Sequence, residues 1–398
     1  MTLMKADVVL LAGAEHPNAV PWAPFDKRVK DFLADLSSTV LHAPDPLRHE
    51  AVSAFGFWCR RSRIEALERR HSCGELRLGR GMVFHIAPSN VPALFGYTMA
   101  IGLLAGNANI VRLSARRGED DAALLTLLNT VLDRPEHREV RERLSVISYD
   151  RDDTVTAGYC ARCDARVVWG GDATVSALRA IPMPPHAVEL MFPDRWSLAV
   201  LSQSFMTALG GEERTALAHR FYNDTFSMDQ NACSSPQLVL WLEDGGDPIC
   251  RRAWWEAVGA EAARRYPFGP YQAARKLERL CRQVMDPAMT ATVEKYSGNL
   301  LYVVDLTPLP PAPTELRGEF GLFFQGSVQS LEDILPLLSP KVQTLVCGGL
   351  DTEATARFLA ERQAAGVDRV VPIGQALEMD TVWDGKDLIS GLSRRVVF

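Results

Sequence analysis

The sequence alternates short apolar runs with helix-length segments from about residue 80 onward, and this alternation restricts the fold more than any other feature. Met82–Ile86 is an apolar run that stops before Pro88, a helical stretch follows, and Ala108–Leu113 is the next such run. Buried parallel strands are typically continuous apolar runs, and a crossover connection must separate each strand from its parallel neighbour. The sequence therefore predicts an α/β fold built on parallel sheets.

The alternation continues toward the C-terminal end. Further strands are predicted at residues 144–148, 165–169, 196–201, 237–241, 300–304, 344–346 and 369–371, and helices over residues 119–132, 152–160, 212–229 and 247–287. Residues 1 to about 80 are predicted to be largely helical, because Val29, Phe32 and Leu36 fall on one face of a helix.

Composition limits the classes of partner and location. A chain of 398 residues with 47% hydrophobic residues can bury a large core and has the length of two or three domains. Its formal net charge of -6 gives no overall basic surface for nucleic acid. We expect no membrane span, because no apolar run reaches the roughly 20 residues required. Eight scattered cysteines do not resemble a disulfide framework, which predicts a cytoplasmic protein.

Cys233 is the most informative cysteine. It lies in the polar segment DQNACSSP, residues 229–236, between a predicted helix and a predicted strand. A turn with spare backbone N–H groups favours the thiolate, which is the nucleophilic form. The alternative is a small residue buried in a turn, the usual place of a lone cysteine.

Three further segments follow predicted strands. Asn90 stands between Pro88 and Pro92, which would hold its amide rigidly enough to stabilise an oxyanion; the alternative is a helix-capping asparagine. Arg112 and the arginines after it could bind a phosphate on an adenosine ribose, or form a solvated basic patch. Gly170–Gly171 could bring backbone N–H groups to a pyrophosphate, or be only a turn.

Other candidates carry less weight. Cys160 and Cys163 have the spacing of half a zinc or redox motif, but no second pair follows, so no metal site is expected. Glu189 lies between Val188 and Leu190 and would be costly to bury alone, so it is exposed, paired or functional.

Together these segments resemble the aldehyde dehydrogenase superfamily and, more narrowly, the LuxC-type acyl-CoA reductases. The narrower resemblance covers residues 80–398 firmly and the first 80 loosely. It rests on several segments in the right order, at residues 85–92, 102–112, 169–172, 221–224, 228–236, 371–377 and 383–385.

The resemblance implies an aldehyde dehydrogenase-like fold, with a Rossmann-like cofactor domain, an α/β catalytic domain and an active site between them. We expect N-terminal helices and a nicotinamide dinucleotide-binding domain over residues 1–199 and a catalytic thiol domain over residues 200–370. Residues 371–398 would return to pack on the cofactor domain or lie at an oligomer interface.

The resemblance also implies residue roles. Cys233 falls on the family nucleophile, Asn90 on the oxyanion-holding asparagine, and Glu189 near the general base of aldehyde-oxidising relatives. The implied cofactor-binding residues are Ser89, Arg112, Ser114, Arg116, Gly170 and Gly171.

Departures from the family pattern refine these expectations. Ala115 stands where an acidic residue often binds both ribose hydroxyls, and Arg116 and Arg117 follow it, so we expect NADPH rather than NADH. Asp172 replaces a serine that commonly approaches the pyrophosphate. Residues 325–328 lack the glutamate that usually binds the nicotinamide ribose, so that contact is not carried over.

The expected activity is NADPH-dependent reduction of an acyl thioester, bound to CoA or to an acyl carrier protein, to an aldehyde through an acyl-enzyme on Cys233. The alternatives are an aldehyde dehydrogenase that forms free acid, which needs Glu189 as base, and a cysteine acyltransferase or thioesterase without nicotinamide. The latter needs a histidine, and His186 and His219 are the nearest in sequence to Cys233. We further expect a homo-oligomer and an acyl-activating or transferase partner.

Overall fold

A computed structural model of the chain describes residues 8–71, 74–88, 91–285 and 291–398. The chain divides into two compact units, Met1–Pro193 with Met379–Phe398, and Asp194–Glu378. Among the described helices, none has both the length and the apolarity that a bilayer crossing requires.

The secondary structure is as follows. Up to residue 193 the helices are α1 (Lys27–Leu41), α2 (Glu50–Trp58), α3 (Arg61–His71), α4 (Leu94–Leu104), α5 (Glu119–Leu132), α6 (Arg138–Arg141), α7 (Asp153–Cys160) and α8 (Asp172–Arg179), and the strands are β1 (Val9–Gly13), β2 (Leu76–Gly79), β3 (Met82–Ile86), β4 (Ala108–Leu113), β5 (Leu144–Ser148), β6 (Ala165–Trp169) and β7 (Val188–Phe192). From residue 194 to 378 the strands are β8 (Trp196–Ser202), β9 (Pro236–Leu242), β10 (Ala291–Tyr296), β11 (Leu301–Leu306), β12 (Leu322–Val328), β13 (Val342–Gly348) and β14 (Arg369–Pro372), and the helices are α9 (Gln203–Ala208), α10 (Gly211–Thr225), α11 (Ile249–Arg265), α12 (Pro270–Val284) and α13 (Thr352–Glu361). The remainder holds β15 (Val382–Trp383), β16 (Lys386–Asp387), α14 (Leu388–Gly391) and β17 (Ser393–Val396).

The first unit contains a sheet whose described strands are ordered β1-β5-β4-β3-β6-β7. Only β1 is antiparallel to its neighbour within this sheet; the other pairs are parallel, as the apolar runs predict. Every residue of β5 and β6 is buried. Helix α1 buries the predicted stripe of Val29, Phe32 and Leu36. This arrangement confirms the α/β prediction.

The second unit contains a sheet whose described strands are ordered β10-β11-β12-β9-β8-β13-β14. The β10–β11 pair is an antiparallel hairpin, and the remaining pairs are parallel. Trp254 and Trp255 of α11 are fully buried and belong to the core on one side of this sheet.

The two units divide the chain at slightly different residues from those expected. Strand β8 begins at Trp196 and pairs with β9 and β13, so a boundary at 199/200 would cut a strand of the second sheet. At the other end, Ile373 and Ala376 are buried in the second unit's core, which extends that unit beyond residue 370. The return segment from residue 379 belongs to the first unit, where β17 pairs antiparallel with β2.

Several local expectations need correction. The first 80 residues, predicted to be largely helical, also contain the strands β1 and β2. The helices predicted over 247–287 are found as α11 and α12, which Pro267 and Gly269 separate, and Pro270 starts α12. Strands β7, β10 and β12 were not predicted from the sequence. In β12, the polar run Gln325–Ser327 interrupts the apolar pattern of an otherwise buried strand.

Candidate active site

Cys233 lies on a loop of the second unit, between a 3₁₀ turn (Phe226–Met228) that follows α10 and the start of β9. Its side chain is partly exposed, and its backbone carbonyl accepts a hydrogen bond from Ser197 Oγ at 2.7 Å. The local sequence therefore places the thiol at a helix–strand junction, as expected, rather than inside the core.

The backbone that leads to Cys233 is held in an unusual conformation. Asp229 and Gln230 have φ values of 53° and 58°, in the left-handed region that most side chains avoid. Gln230 is buried; its Oε1 accepts from the Gly321 N–H at 2.8 Å and its Nε2 donates to the Leu322 carbonyl at 3.1 Å. These two bonds fix the loop's shape against a neighbouring segment.

Gln237, also buried, repeats this bracing from the other end of the loop. Its Nε2 donates to the Gln230 carbonyl at 2.8 Å, and its Oε1 accepts from the Gly318 N–H at 2.7 Å. The loop is therefore preorganised before any ligand binds.

A charged cluster lies next to the thiol. Cys233 Sγ is 3.9 Å from Asp194 Oδ1. The other carboxylate oxygen of Asp194 is 2.6 Å from Arg317 Nη2 and 3.2 Å from Lys341 Nζ. Sequence analysis missed all three charged residues, because they precede three different strands, β8, β12 and β13. Only the order β12-β9-β8-β13 in the second sheet brings such distant segments together.

The other described cysteines differ from Cys233. Burial raises the pKa of the Cys163 and Cys347 thiols to about 12, which makes them poor nucleophiles at neutral pH. Cys160 is fully buried and its Sγ accepts from Arg166 Nη1 at 3.1 Å. The Cys160–Cys163 spacing is thus part of a packed core in the first unit. Cys281 is exposed on α12.

Two of the expected residues, Ser89 and Asn90, lie outside the described residues. Their assignments, a cofactor contact and an oxyanion donor, stay predictions.

The expected cofactor residues of the first unit lie at the carboxyl ends of its strands. Arg112 is on β4; its guanidinium packs over the Tyr149 ring at 5.1 Å, and Nη2 donates to the Tyr149 carbonyl at 3.3 Å. Just beyond β4, Ser114 Oγ accepts from the Arg116 N–H at 3.2 Å. Arg116 and Arg117 are both exposed. The structure thus brings Arg112, Ser114 and Arg116 into one short segment with outward cationic groups.

Gly170 and Gly171 join β6 to α8. Gly171 is the N-cap of α8 and gives no side-chain hydrogen bond to the first turn, and a Cβ built on it would meet nothing within 4 Å. This end of the helix is therefore accessible from solvent. Asp172 occupies the first turn of the same helix, so its carboxylate shares the space where an anion would bind.

Glu189, on β7, forms an ion pair with Arg166. Arg166 is fully buried on β6 and also donates to the Ile181 carbonyl at 3.3 Å, whereas the Glu189 carboxylate is partly exposed. Of the options that the sequence left open, the structure shows Glu189 both exposed and paired. A role for Glu189 in the reaction stays a prediction. Glu189 also faces a cavity of about 360 Å³ in the first unit, which is lined by Asp172, Val175, Ser176, Arg179, Glu189, Met191, Pro193 and Lys386.

Several of the segments quoted for the family resemblance meet in a buried hydrogen-bond network. His85 bonds Thr98 Oγ1 through Nδ1 and Asn109 Oδ1 through Nε2, both at 2.7 Å, and Trp169 Nε1 donates to Thr98 Oγ1 at 3.2 Å. Complete burial lowers the pKa of His85 to about 4, so the ring is neutral at pH 7. A Cβ at Gly102 would lie 2.0 Å from Asn109 Oδ1, so the close approach of α4 requires glycine. This network links β3, β4 and β6.

Gln325 explains one departure from the family pattern. Its Oε1 accepts from the indole N–H groups of Trp241 and Trp255 at 2.9 and 2.8 Å, and its Nε2 donates to Asp305 Oδ2 at 2.9 Å. This residue therefore serves the core of the second unit.

Among the described residues, one cluster has the composition of a metal site: Asp35, Glu136 and His137. His137 Nε2 already lies 2.8 Å from Asp35 Oδ2, and Arg134 lies 3.7 Å from the same oxygen. A cation next to the central carboxylate disfavours a metal there.

The order of parallel strands and the two compact units define the class: the chain has the aldehyde dehydrogenase fold. A benzaldehyde dehydrogenase from Corynebacterium glutamicum superposes with a TM-score of 0.59 at 12% identity, covering 94% of this chain and 85% of the other. A lactaldehyde dehydrogenase superposes with a TM-score of 0.62 at 12% identity, covering 94% and 86%.

Within that class, the chain belongs to the acyl-CoA reductase (LuxC) family, whose model matches residues 59–395. The long-chain acyl-protein thioester reductase of Vibrio harveyi is 31% identical over 169 residues. That match covers 42% of this chain and about a third (33%) of the relative's length.

Proposed function

We propose that this chain reduces an acyl thioester to an aldehyde with NADPH, through an acyl-enzyme on Cys233. The single observation that carries the proposal is a partly exposed thiol on a braced loop, in a chain of the LuxC family. The role of nucleophile for this thiol is what the sequence resemblance implies. The name of the Vibrio harveyi relative supports an acyl thioester as substrate.

In the proposed reaction the Cys233 thiolate attacks the carbonyl carbon, a new C–S bond forms, and the original thiol leaves. The Cys233 backbone N–H and the Asn90 amide would stabilise the oxyanion, at a few kcal/mol for each donor. The chemistry that a bound nicotinamide dinucleotide supplies is hydride transfer. The thiohemiacetal on Cys233 then collapses, which releases the aldehyde and restores the thiolate.

The first unit has residues that fit such a cofactor. Arg112, Ser114 and Arg116 would hold the adenosine ribose and its 2′-phosphate, because two guanidinium groups there favour an added anion. The uncapped end of α8 at Gly170–Gly171 would receive the pyrophosphate, provided that the Asp172 carboxylate turns away.

Contacts of the described residues favour reduction over the two alternatives. Formation of free acid needs Glu189 to activate water, but that carboxylate is paired with the buried Arg166. A thioesterase without nicotinamide needs a histidine base. His186 bonds Asp164 at 3.0 Å and His219 bonds Glu261 at 2.8 Å, so each is engaged elsewhere.

Location and partners are part of the same proposal. None of the described cysteines is in a disulfide, which supports a reducing cytoplasmic location. CoA and carrier-protein thioesters both remain candidate donors. The homo-oligomer and the acyl-activating or transferase partner stay predictions.

The test is intact-mass spectrometry after incubation with a panel of acyl thioesters. Wild-type protein should gain one acyl group and oxidise NADPH, whereas Cys233→Ala should do neither. Cys281→Ala, which removes an exposed thiol elsewhere in the second unit, is the matched control and should behave as wild type. An acyl adduct on Cys233→Ala, or NADPH oxidation without Cys233, would refute the assignment.

A second assay separates reduction from oxidation to free acid. Aldehyde and NADP supplied without CoA should give little carboxylic acid. Rapid acid formation would favour the aldehyde dehydrogenase alternative.

A further inference from the structure

We infer that Asp194 is a positioning residue that sets the ionisation of the Cys233 thiol, and that Arg317 and Lys341 hold its carboxylate in place. The catalytic meaning of this inference rests on the proposed function of Cys233. Neither the family match nor the sequence motifs point to these three charged residues.

The geometry gives the two oxygens of Asp194 different roles. Oδ1 faces Cys233 Sγ at 3.9 Å, within reach of an S–H donor. Oδ2 is bound on its other side by Arg317 Nη2 at 2.6 Å and by Lys341 Nζ at 3.2 Å. Arg317 is itself fixed, because Nη1 donates to the Arg195 carbonyl at 3.3 Å. The carboxylate is therefore oriented toward the sulfur by two cations.

The charges act on the thiol in opposite directions. A carboxylate accepts the S–H hydrogen bond and repels a thiolate, so it favours the protonated form. The two cations favour the thiolate, but they bind Oδ2, the carboxylate oxygen that does not contact the sulfur. Because Oδ1 lies 3.9 Å from Sγ, Asp194 should keep the thiol protonated at rest.

This arrangement suits a nucleophilic thiol that should stay unreactive until its substrate binds. A protonated thiol resists oxidation, which attacks the thiolate. A thiolate formed beside a carboxylate is also more nucleophilic, because intrinsic nucleophilicity rises with thiol pKa. In the acylation step Sγ gives its proton to water and the leaving thiolate takes one up, so the step is proton-neutral.

Neighbouring charged groups define a control. Arg195, next to Asp194 in the chain, pairs through Nη2 with Asp368 Oδ2 at 2.5 Å. The Asp368 carboxylate is partly exposed, as that of Asp194 is, and its pair with Arg195 also involves the segment that precedes β8. Asp368 differs from Asp194 because it pairs with Arg195, whereas Asp194 Oδ1 contacts the thiol.

The experiment measures the rate of iodoacetamide alkylation of Cys233 from about pH 6 to about pH 10 in the full chain, followed by peptide mass spectrometry. Asp194→Asn should lower the midpoint of the rate profile by about one pH unit. Below the midpoint the reaction should be about threefold faster, because a roughly tenfold gain in thiolate is partly offset by its lower intrinsic nucleophilicity. Lys341→Met and Arg317→Met should each raise it. Asp368→Asn should leave it unchanged, and Asp194→Glu should restore the wild-type profile.

A salt bridge with a purely structural role would not shift the midpoint down in Asp194→Asn and up in Lys341→Met and Arg317→Met. Loss of such a bridge would lower the melting temperature of all the variants and move their profiles in one direction. The inference is overturned if Asp194→Asn leaves the midpoint unchanged or raises it, or if Asp368→Asn shifts it equally. Failure of the proposed function would appear separately, as no acyl adduct on Cys233 despite the expected midpoint shifts.

Discussion

The Cys233 loop of the second unit and the strand-end segment 112–117 of the first unit are built in contrasting ways. Two buried glutamines, Gln230 and Gln237, hold the cysteine loop through four side-chain hydrogen bonds. The 112–117 segment starts in β4, and beyond the strand its described hydrogen bond is the short turn at Ser114; residues 115–117 are exposed.

This contrast follows the chemistry that each region would perform. A covalent nucleophile and its oxyanion donors must be in place before the reaction, because reorganisation during the step costs rate. A cofactor must bind and leave in every turnover, so outward side chains that can adapt would suit the contacts proposed for this segment. Substitutions in the two regions should therefore affect different steps.

The largest effect is expected at Gln230. Gln230→Ala leaves the Gly321 N–H and the Leu322 carbonyl without their partners, which should cost about 3 kcal/mol of stability. The freed loop should also slow acylation of Cys233 by about a hundredfold, because misplacement of a reacting group has effects of that size. Single-turnover acylation and urea unfolding measure the two effects.

Gln325→Ala is the matched control for Gln230→Ala. It removes an equally buried glutamine with three hydrogen bonds from the same unit. We expect a comparable loss of stability with acylation by the folded protein almost unchanged. If acylation of Cys233 slows equally in both variants, the hydrogen bonds of Gln230 have no specific effect on the reactivity of the cysteine loop.

The next effect concerns the first unit and depends on pH. The pKa of His85 is lowered to about 4 from an ordinary value of 6.5, so the unfolded chain binds a proton that the folded unit does not. The stabilisation is complete above pH 6.5 and is lost as the pH falls toward 4, by about 3 kcal/mol over that window.

Hydrogen exchange in β3 and β4 measures this loss locally. His85→Gln should be less stable at pH 7 but should lack this acid-dependent part. If exchange in β3 and β4 has the same pH dependence in both proteins, His85 is not its source.

The smallest effect is expected at Arg116. Arg116→Gln should raise the KM for NADPH about tenfold, because it removes the charge-assisted contact to the 2′-phosphate that we propose for Arg116. The KM for NADH and the rate of acylation should not change. Arg162→Gln, at an exposed arginine of the same unit that donates to the Gly158 carbonyl, is the control. An equal rise for NADH would exclude a phosphate contact at Arg116.

Most strands of the two sheets could be predicted, because a buried parallel strand is a continuous apolar run in the sequence. Each apolar run that was predicted to be a strand, such as residues 144–148 and 165–169, is a strand in the structure. Strand β7 was not predicted because Glu189 interrupts its apolar run. The Glu189 carboxylate is accommodated there because it pairs with Arg166 on the adjacent strand. A side-chain contact between two strands cannot be recognised from the sequence of either strand alone.

The same limit applies to the candidate active site. Cys233 could be selected from its own neighbours, and Arg112 from its place at a strand end. Asp194, Arg317 and Lys341 could not be selected, because each is an ordinary surface-type residue in its local sequence. Their proximity to the thiol depends on how β8, β12 and β13 are arranged in one sheet.

The pairing of β17 with β2 has a consequence for biosynthesis. Asn107 Nδ2 donates to the Leu392 carbonyl at 2.9 Å and Arg80 Nε to the Gly391 carbonyl at 2.7 Å, so the returning segment is tied to the first unit. Translation runs from the N-terminus, so residues 194–378 are synthesised before β17. The first unit therefore cannot form its β2–β17 pair until the whole second unit has been translated.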